Sequence, residues 1–145
     1  MNDKDKELLF IDLCGRIPYK VRMFEIEPIN DIQSNLTLLS ITNKESVICI
    51  TPSGGVIGSS IDAFKPYLFP LSSMTEEQRE EFLNIQTEER QILLNALIEY
   101  KSGKYDKIPI IAPYKQIEWL NKNHFDYRGL IERGLAIDCT NLNVY

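Results

Sequence analysis

The 145-residue chain has a mass of 16.8 kDa and is 43% hydrophobic and 26% charged. That composition fits an ordinary globular domain, which buries roughly two-thirds of its unfolded surface without a disulfide staple. A net charge of −5, from 16 Lys and Arg against 21 Asp and Glu, lacks the basic footprint of a general nucleic-acid binder. Collagen-like, mucin-like and wholly disordered chains are excluded as well.

Residues 7–17 carry Leu9, Phe10, Leu13, Cys14 and Ile17 at offsets of three and four. This predicts one apolar stripe on a helix, stopped near Gly15 and Pro18. Over residues 19–27, Tyr19, Val21 and Met23 alternate with Lys20 and Arg22, a strand with room for a bulge near Met23 and Phe24, ended by Pro28. Residues 36–42 and 47–51 are two further strands, joined by a turn at Thr42, Asn43, Lys44 and Glu45. The run Thr51-Pro52-Ser53-Gly54-Gly55 marks another turn before a fourth strand over 56–60.

Residues 61–70 hold Phe64, Tyr67, Leu68 and Phe69 among Pro66 and Pro70, which excludes a long helix and predicts an aromatic plug across the sheet. Thr75 followed by Gln78 fits a capping box, and a stronger helix follows over 88–100 with Leu93, Ala96, Leu97 and Tyr100 on one face. Ser102 and Gly103 end it, residues 104–109 form a linker, and Pro113 opens a helix running to about Asn123. Asp126 then caps a last short helix containing Leu130 and Ile131, closed by a left-handed Gly134, with a short strand over 135–137. The acidity is concentrated in the middle helices.

The fold expected is therefore α+β: an N-terminal helix, a four-strand antiparallel sheet or small barrel over 1–70, then a C-terminal helical half over 71–145, all as a single domain. Cys14, Cys49 and Cys139 are odd in number, widely spaced and without a CxxC pair, which points to reduced, mostly buried thiols. With no long apolar run, neither a signal peptide nor a membrane span is expected, and the chain reads as cytoplasmic.

Chemistry-bearing patterns are sparse. A nucleophile site would have to use the one histidine, His124, oriented by Asp126, and no cysteine has a local motif. One His and three scattered Cys do not make a zinc site, and the carboxylates of Glu76, Glu77, Glu80 and Glu81 fit a solvated helix face better than a cation site. Gly54, Gly55 and Gly58 lack the Lys and spacing of a phosphate loop. Residues 119–137 read as two short helices, a turn and a strand, similar to part of a winged helix, but Lys115, Lys122, Arg128 and Arg133 are offset by Glu118, Asp126 and Glu132.

The stretches YLFPLSSMTEE over 67–77 and WLNKNHFDYRGLIERGLA over 119–136 resemble the two signatures of a family of small proteins from gut Bacteroides genomes and their phages. Those signatures typically read YLRPMSSMTEE and WLNxHHFDYRGLIExGLA. The resemblance implies a phage or prophage origin and nothing catalytic. Phe69 stands where an Arg is usual and Asn123 where a first His is usual, so no role for paired histidines carries over.

The reading that follows is a non-enzymatic accessory protein with no cofactor and no metal. It would bind a macromolecule, a host or phage protein in preference to nucleic acid, with the oligomeric state open. His124, Asp126, Tyr127 and Arg128 are the candidate contacts, because a turn between helices exposes polar groups on a rigid frame. The alternative is a nucleic-acid-associated regulator using the winged-helix-like C-terminal segment.

Overall fold

The structure, a computed structural model, describes residues 1–26, 36–103 and 114–145. It is α+β and divides into two compact units, Met1–Ser73 together with Asn121–Tyr145, and Met74–Leu120. The expected helical half over 71–145 is thus split, its last 25 residues belonging with the strands.

The first unit begins with α1 (Asp3–Arg16), whose Asn2 side chain accepts from the Asp5 amide and caps the helix. Leu9, Asp12, Leu13 and Arg16 form its buried face. The apolar stripe is therefore rotated from the one expected, and Cys14 is exposed. The strands are β1 (Arg22–Glu25), β2 (Leu36–Asn43), β3 (Ser46–Ile50), β4 (Val56–Ser60), β5 (Phe64–Pro70), β6 (Phe125–Asp126) and β7 (Ile137–Asp138). Among the described residues they make one open, mixed sheet in the order β4-β3-β2-β1-β5-β6, with β7 also on β5.

The sheet has seven strands where four were expected, the short strand expected over 135–137 joining it as β7, and it does not close into a barrel, because β4 and β6 each remain at an edge. The four meander strands fall where alternation and turn chemistry place them. In the β2–β3 turn the Glu45 amide donates to Asn43 Oδ1 at 2.8 Å, and in the β3–β4 turn the Gly55 amide donates to Thr51 Oγ1 at 2.8 Å. The irregular register lies between β2 and β3, around Leu39, which is 48% exposed, and not at Met23 and Phe24, where β1 pairs regularly with β5.

The expected aromatic plug is β5, a strand between several partners. Pro66 is the last β5 residue paired with β1, and Pro70 the last paired with β6. Each proline sits at the end of a ladder, where a missing amide costs least. Beyond Pro66 the strand changes partners: Tyr67 and Leu68 pair in parallel with Ile137 and Asp138, and Phe69 pairs with Phe125. The core gathers Leu9 and Leu13 of α1, Val21, Met23, Leu36, Leu38, Val47 and Cys49 of the meander, Ile61, Phe64 and Leu68, and Leu130, Leu135 and Ala136 from the return segment.

The second unit holds α2 (Glu76–Lys101) and most of α3 (Tyr114–Lys122). Its capping box forms, with Thr75 Oγ1 accepting from the Gln78 amide at 3.2 Å and Gln78 Oε1 from the Thr75 amide at 2.9 Å. The two expected helices are one of 26 residues, since nothing over 84–88 breaks it; the Thr87 hydroxyl bonds back to the Leu83 carbonyl at 2.9 Å. Glu89 is buried and accepts from the Lys115 amide and Gln116 Nε2, both at 2.8 Å, supplying the start of α3 with an acceptor from α2. Phe82 and Trp119 pack with ring centroids 5.4 Å apart. Pro28, the 104–109 linker and Pro113 lie outside the described residues. No helix among the described residues is long and apolar enough to cross a membrane.

Candidate binding site

The segment that follows α3 is not the second short helix of a winged helix. His124 takes a left-handed backbone, φ 59°, with its amide donating to the Asn121 carbonyl at 3.2 Å and its carbonyl accepting from the Phe69 amide at 2.9 Å. Histidine is among the few side chains that visit this region, so the turn that stops α3 and starts β6 forms here. Asp126 then accepts from the amides of Leu130 and Ile131, at 2.9 and 2.8 Å. A helix cap would engage amides two or three residues on; Asp126 reaches four and five residues on and holds a wide loop instead. Gly134, φ 68°, closes the single turn that follows, and Leu135 donates to the Leu130 carbonyl at 2.8 Å.

Beneath this loop lies a charged group that residue patterns alone did not single out. Arg16 is fully buried and grips Asp12 with Nε to Oδ2 at 2.6 Å and Nη2 to Oδ1 at 3.1 Å. Its Nη2 also donates to the Phe125 carbonyl at 2.8 Å, so α1 holds β6 directly. Arg128 brings a second guanidinium to the same carboxylate, Nε to Oδ1 at 3.5 Å. Two guanidinium groups thus meet one carboxylate, with the Asp126 carboxylate in the same loop. The Tyr127 ring faces both, 5.6 Å from the Arg16 guanidinium carbon and 4.9 Å from that of Arg128. A polar pair at i and i+4 within the Leu9 and Leu13 stripe was the sequence signal for this group.

His124 stacks on Tyr145, centroids 4.1 Å apart and planes 12° from parallel. Tyr145 also packs on Phe69 at 5.8 Å; its hydroxyl donates to the Tyr67 carbonyl at 2.8 Å and accepts from the Arg22 amide at 3.1 Å. Phe69, which stands where the resembling proteins carry Arg, is thereby part of an aromatic cluster with Phe125, His124 and Tyr145. Nothing in the sequence announces a contact between residues 78 positions apart. Among the described residues, His124 Nδ1, Asn121 Oδ1 and Arg16 Nη1 are buried without a hydrogen-bond partner.

Electrostatics separate the four sequence candidates into two kinds. Burial, with Arg16 nearby, lowers the His124 pKa to about 4, so the ring is neutral at pH 7 and a weak base. Asp126 spends its carboxylate on the loop and His124 its backbone on the turn, while the side chains of Tyr127 and Arg128 are half-buried and keep part of their surface in solvent. The thiols do not complement the histidine: burial first, then Glu25, pushes Cys49 to about 12, and burial with Asp138 pushes Cys139 to about 11. Partial burial raises Cys14 as well. All three are free. Among the described residues no group of three or more His, Cys, Asp or Glu side chains could hold a metal ion.

Comparison with known protein families, with curated proteins and with solved structures finds no match for this chain in any of the three.

Proposed function

We propose that this chain is a non-enzymatic accessory protein of a phage or mobile element that binds a host or phage protein through Tyr127 and Arg128. One observation carries this reading: an Arg–Asp–Arg arrangement with a tyrosine ring against both guanidinium groups, on a loop tied down by Asp126 and the Arg16 contact to Phe125. Tyr and Arg are the side chains over-represented at the energetic centres of protein interfaces. Holding them in place before binding removes part of the ordering cost. The half-buried Arg128 guanidinium can offer its remaining donors to an acceptor on the partner. His124 and Asp126 are positioning residues in this reading.

The state of the nucleophiles supports binding over covalent chemistry. A thiol held near 11 or 12 is almost wholly protonated at pH 7, and the thiolate is the reactive form. The winged-helix alternative has less support, since residues 126–134 supply a capped loop where a recognition helix would lie.

Affinity capture from host lysate, with and without nuclease, compares the wild-type chain with Tyr127→Ala and Arg128→Ala. The expected result is one protein retained after nuclease by the wild type and lost, at least tenfold, by both variants while their circular dichroism is unchanged. A partner that both variants keep, or one that nuclease removes, overturns the reading; the second outcome favours nucleic-acid binding.

A further inference from the structure

The long helix α2 carries more apolar surface than its partner helix uses. Leu83, Leu94 and Ile98 are 55%, 48% and 65% exposed. They do not share the face that holds Phe82, Ile85 and the buried Glu89, lying roughly a third of a turn or more around the axis from it at 100° per residue. A helical face of this kind is normally covered.

The stripe has a symmetry that selects its occupant. Read outward from the midpoint between Arg90 and Gln91, Thr87 mirrors Leu94, Leu83 mirrors Ile98, and Glu80 mirrors Lys101. The offsets of three and four keep all six on one side of α2, and all six are exposed. Laid antiparallel on a copy of itself, the helix therefore sets Leu83 against Ile98, the methyl-bearing Thr87 against Leu94, and acid against base at both ends. This is what an isologous two-fold contact requires, each patch meeting its own image. The one unfavourable feature is Arg90, whose two copies approach at the axis with their long side chains free to turn to solvent.

We infer that α2 is a self-association surface and that its occupant is a second copy of this chain, antiparallel, with Leu83 over the partner's Ile98 and Glu80 beside the partner's Lys101. The contact is independent of the Tyr127 and Arg128 loop. It is small, a few half-exposed aliphatic side chains per protomer, so the dimer is a weak and concentration-dependent one.

Sedimentation equilibrium of the full chain over a wide concentration range tests it. The wild type should pass from monomer to dimer, and Leu94→Glu with Ile98→Glu should remain monomeric with unchanged helical content, because both positions face solvent in the monomer. Glu80→Lys alone and Lys101→Glu alone should each raise the dimer Kd about tenfold, since two attractive pairs become repulsive. The two together should restore it. A chain monomeric at every concentration overturns the inference, as does a dimer indifferent to the glutamates or a double charge reversal that fails to rescue.

Discussion

The two units solve the problem of apolar surface differently. In Met1–Ser73 with Asn121–Tyr145, α1, five strands and the return segment close around fourteen buried core residues, and even the charged pair Asp12 and Arg16 is fully enclosed. Among the described residues of Met74–Leu120 the ties include the Phe82–Trp119 ring contact, the Glu88–Lys115 ion pair at 3.6 Å, and Glu89 holding the start of α3. There Leu83, Ile92, Leu93, Leu94 and Ile98 all stand 40% or more exposed. The first unit is over-determined, with polar and apolar contacts fixing the same geometry. The second is a helical element with unspent surface. Stability should concentrate in the first and self-association in the second, since local stability follows the density of buried contacts.

The hardest blow to that contrast is Asp12→Ala. It leaves Arg16 buried with no counter-charge and removes the anion that Arg128 approaches. Breaking a buried pair from one side costs about 3–5 kcal/mol. Residue-resolved hydrogen exchange should show the loss in the amides of α1, β1 and β6. If exchange there is unchanged, the pair does not hold the unit together.

A second blow uses pH. His124 titrates near 6.5 when unfolded and about 4 when folded. Above pH 6.5 both states carry a neutral ring and stability is full. Between 6.5 and 4 the unfolded chain takes up a proton that the folded ring refuses, so stability falls as pH falls, and the loss is complete below 4. Allowing for the solvent-exposed edge of the ring, it amounts to about 2 kcal/mol. His124→Asn keeps a residue that tolerates the left-handed turn and removes the titration. Its urea midpoint should be flatter than the wild type across that window. Equal slopes would mean the ring is not desolvated by its place on Tyr145.

These two predictions rest on contacts of unequal legibility. The α+β class and the four meander strands could be read from alternation and turn residues, because those signals are local and the Thr51–Gly55 and Asn43 turns obey them. The capping box of α2 was legible for the same reason. β5 was not, because two prolines argue against a strand unless the partners on either side are known. Residues 126–134 mimicked a capped helix, since an aspartate and a closing glycine serve a wide loop as well as a helical turn. Within the candidate site, Tyr127 and Arg128 could be named from sequence. What holds them could not, because Arg16 meets the Phe125 carbonyl across 109 residues.

The smallest effects separate the units most cleanly, because one kind of substitution should change sign between them. Asn84 in α2 is exposed, and alanine is the better helix former by about 0.5 kcal/mol, so Asn84→Ala should stabilise the second unit by that amount. Gly15 in α1 is also exposed, and Gly→Ala in a helix normally gains up to about 1 kcal/mol. Here the new Cβ would lie 2.9 Å from Asn121 Nδ2, and Asn121 is itself only 4% exposed, with little room to withdraw. Overpacking of that kind costs about 1–3 kcal/mol, so Gly15→Ala should destabilise by about 1 kcal/mol net. Shortening the obstacle with Asn121→Ala should turn the same change at Gly15 into a gain, and a thermal double-mutant cycle reads that reversal as a coupling energy. A Gly15→Ala that stabilises the wild-type background would show that α1 and residue 121 are as loosely joined as the exposed face of α2. The claimed difference between the two units would then fall.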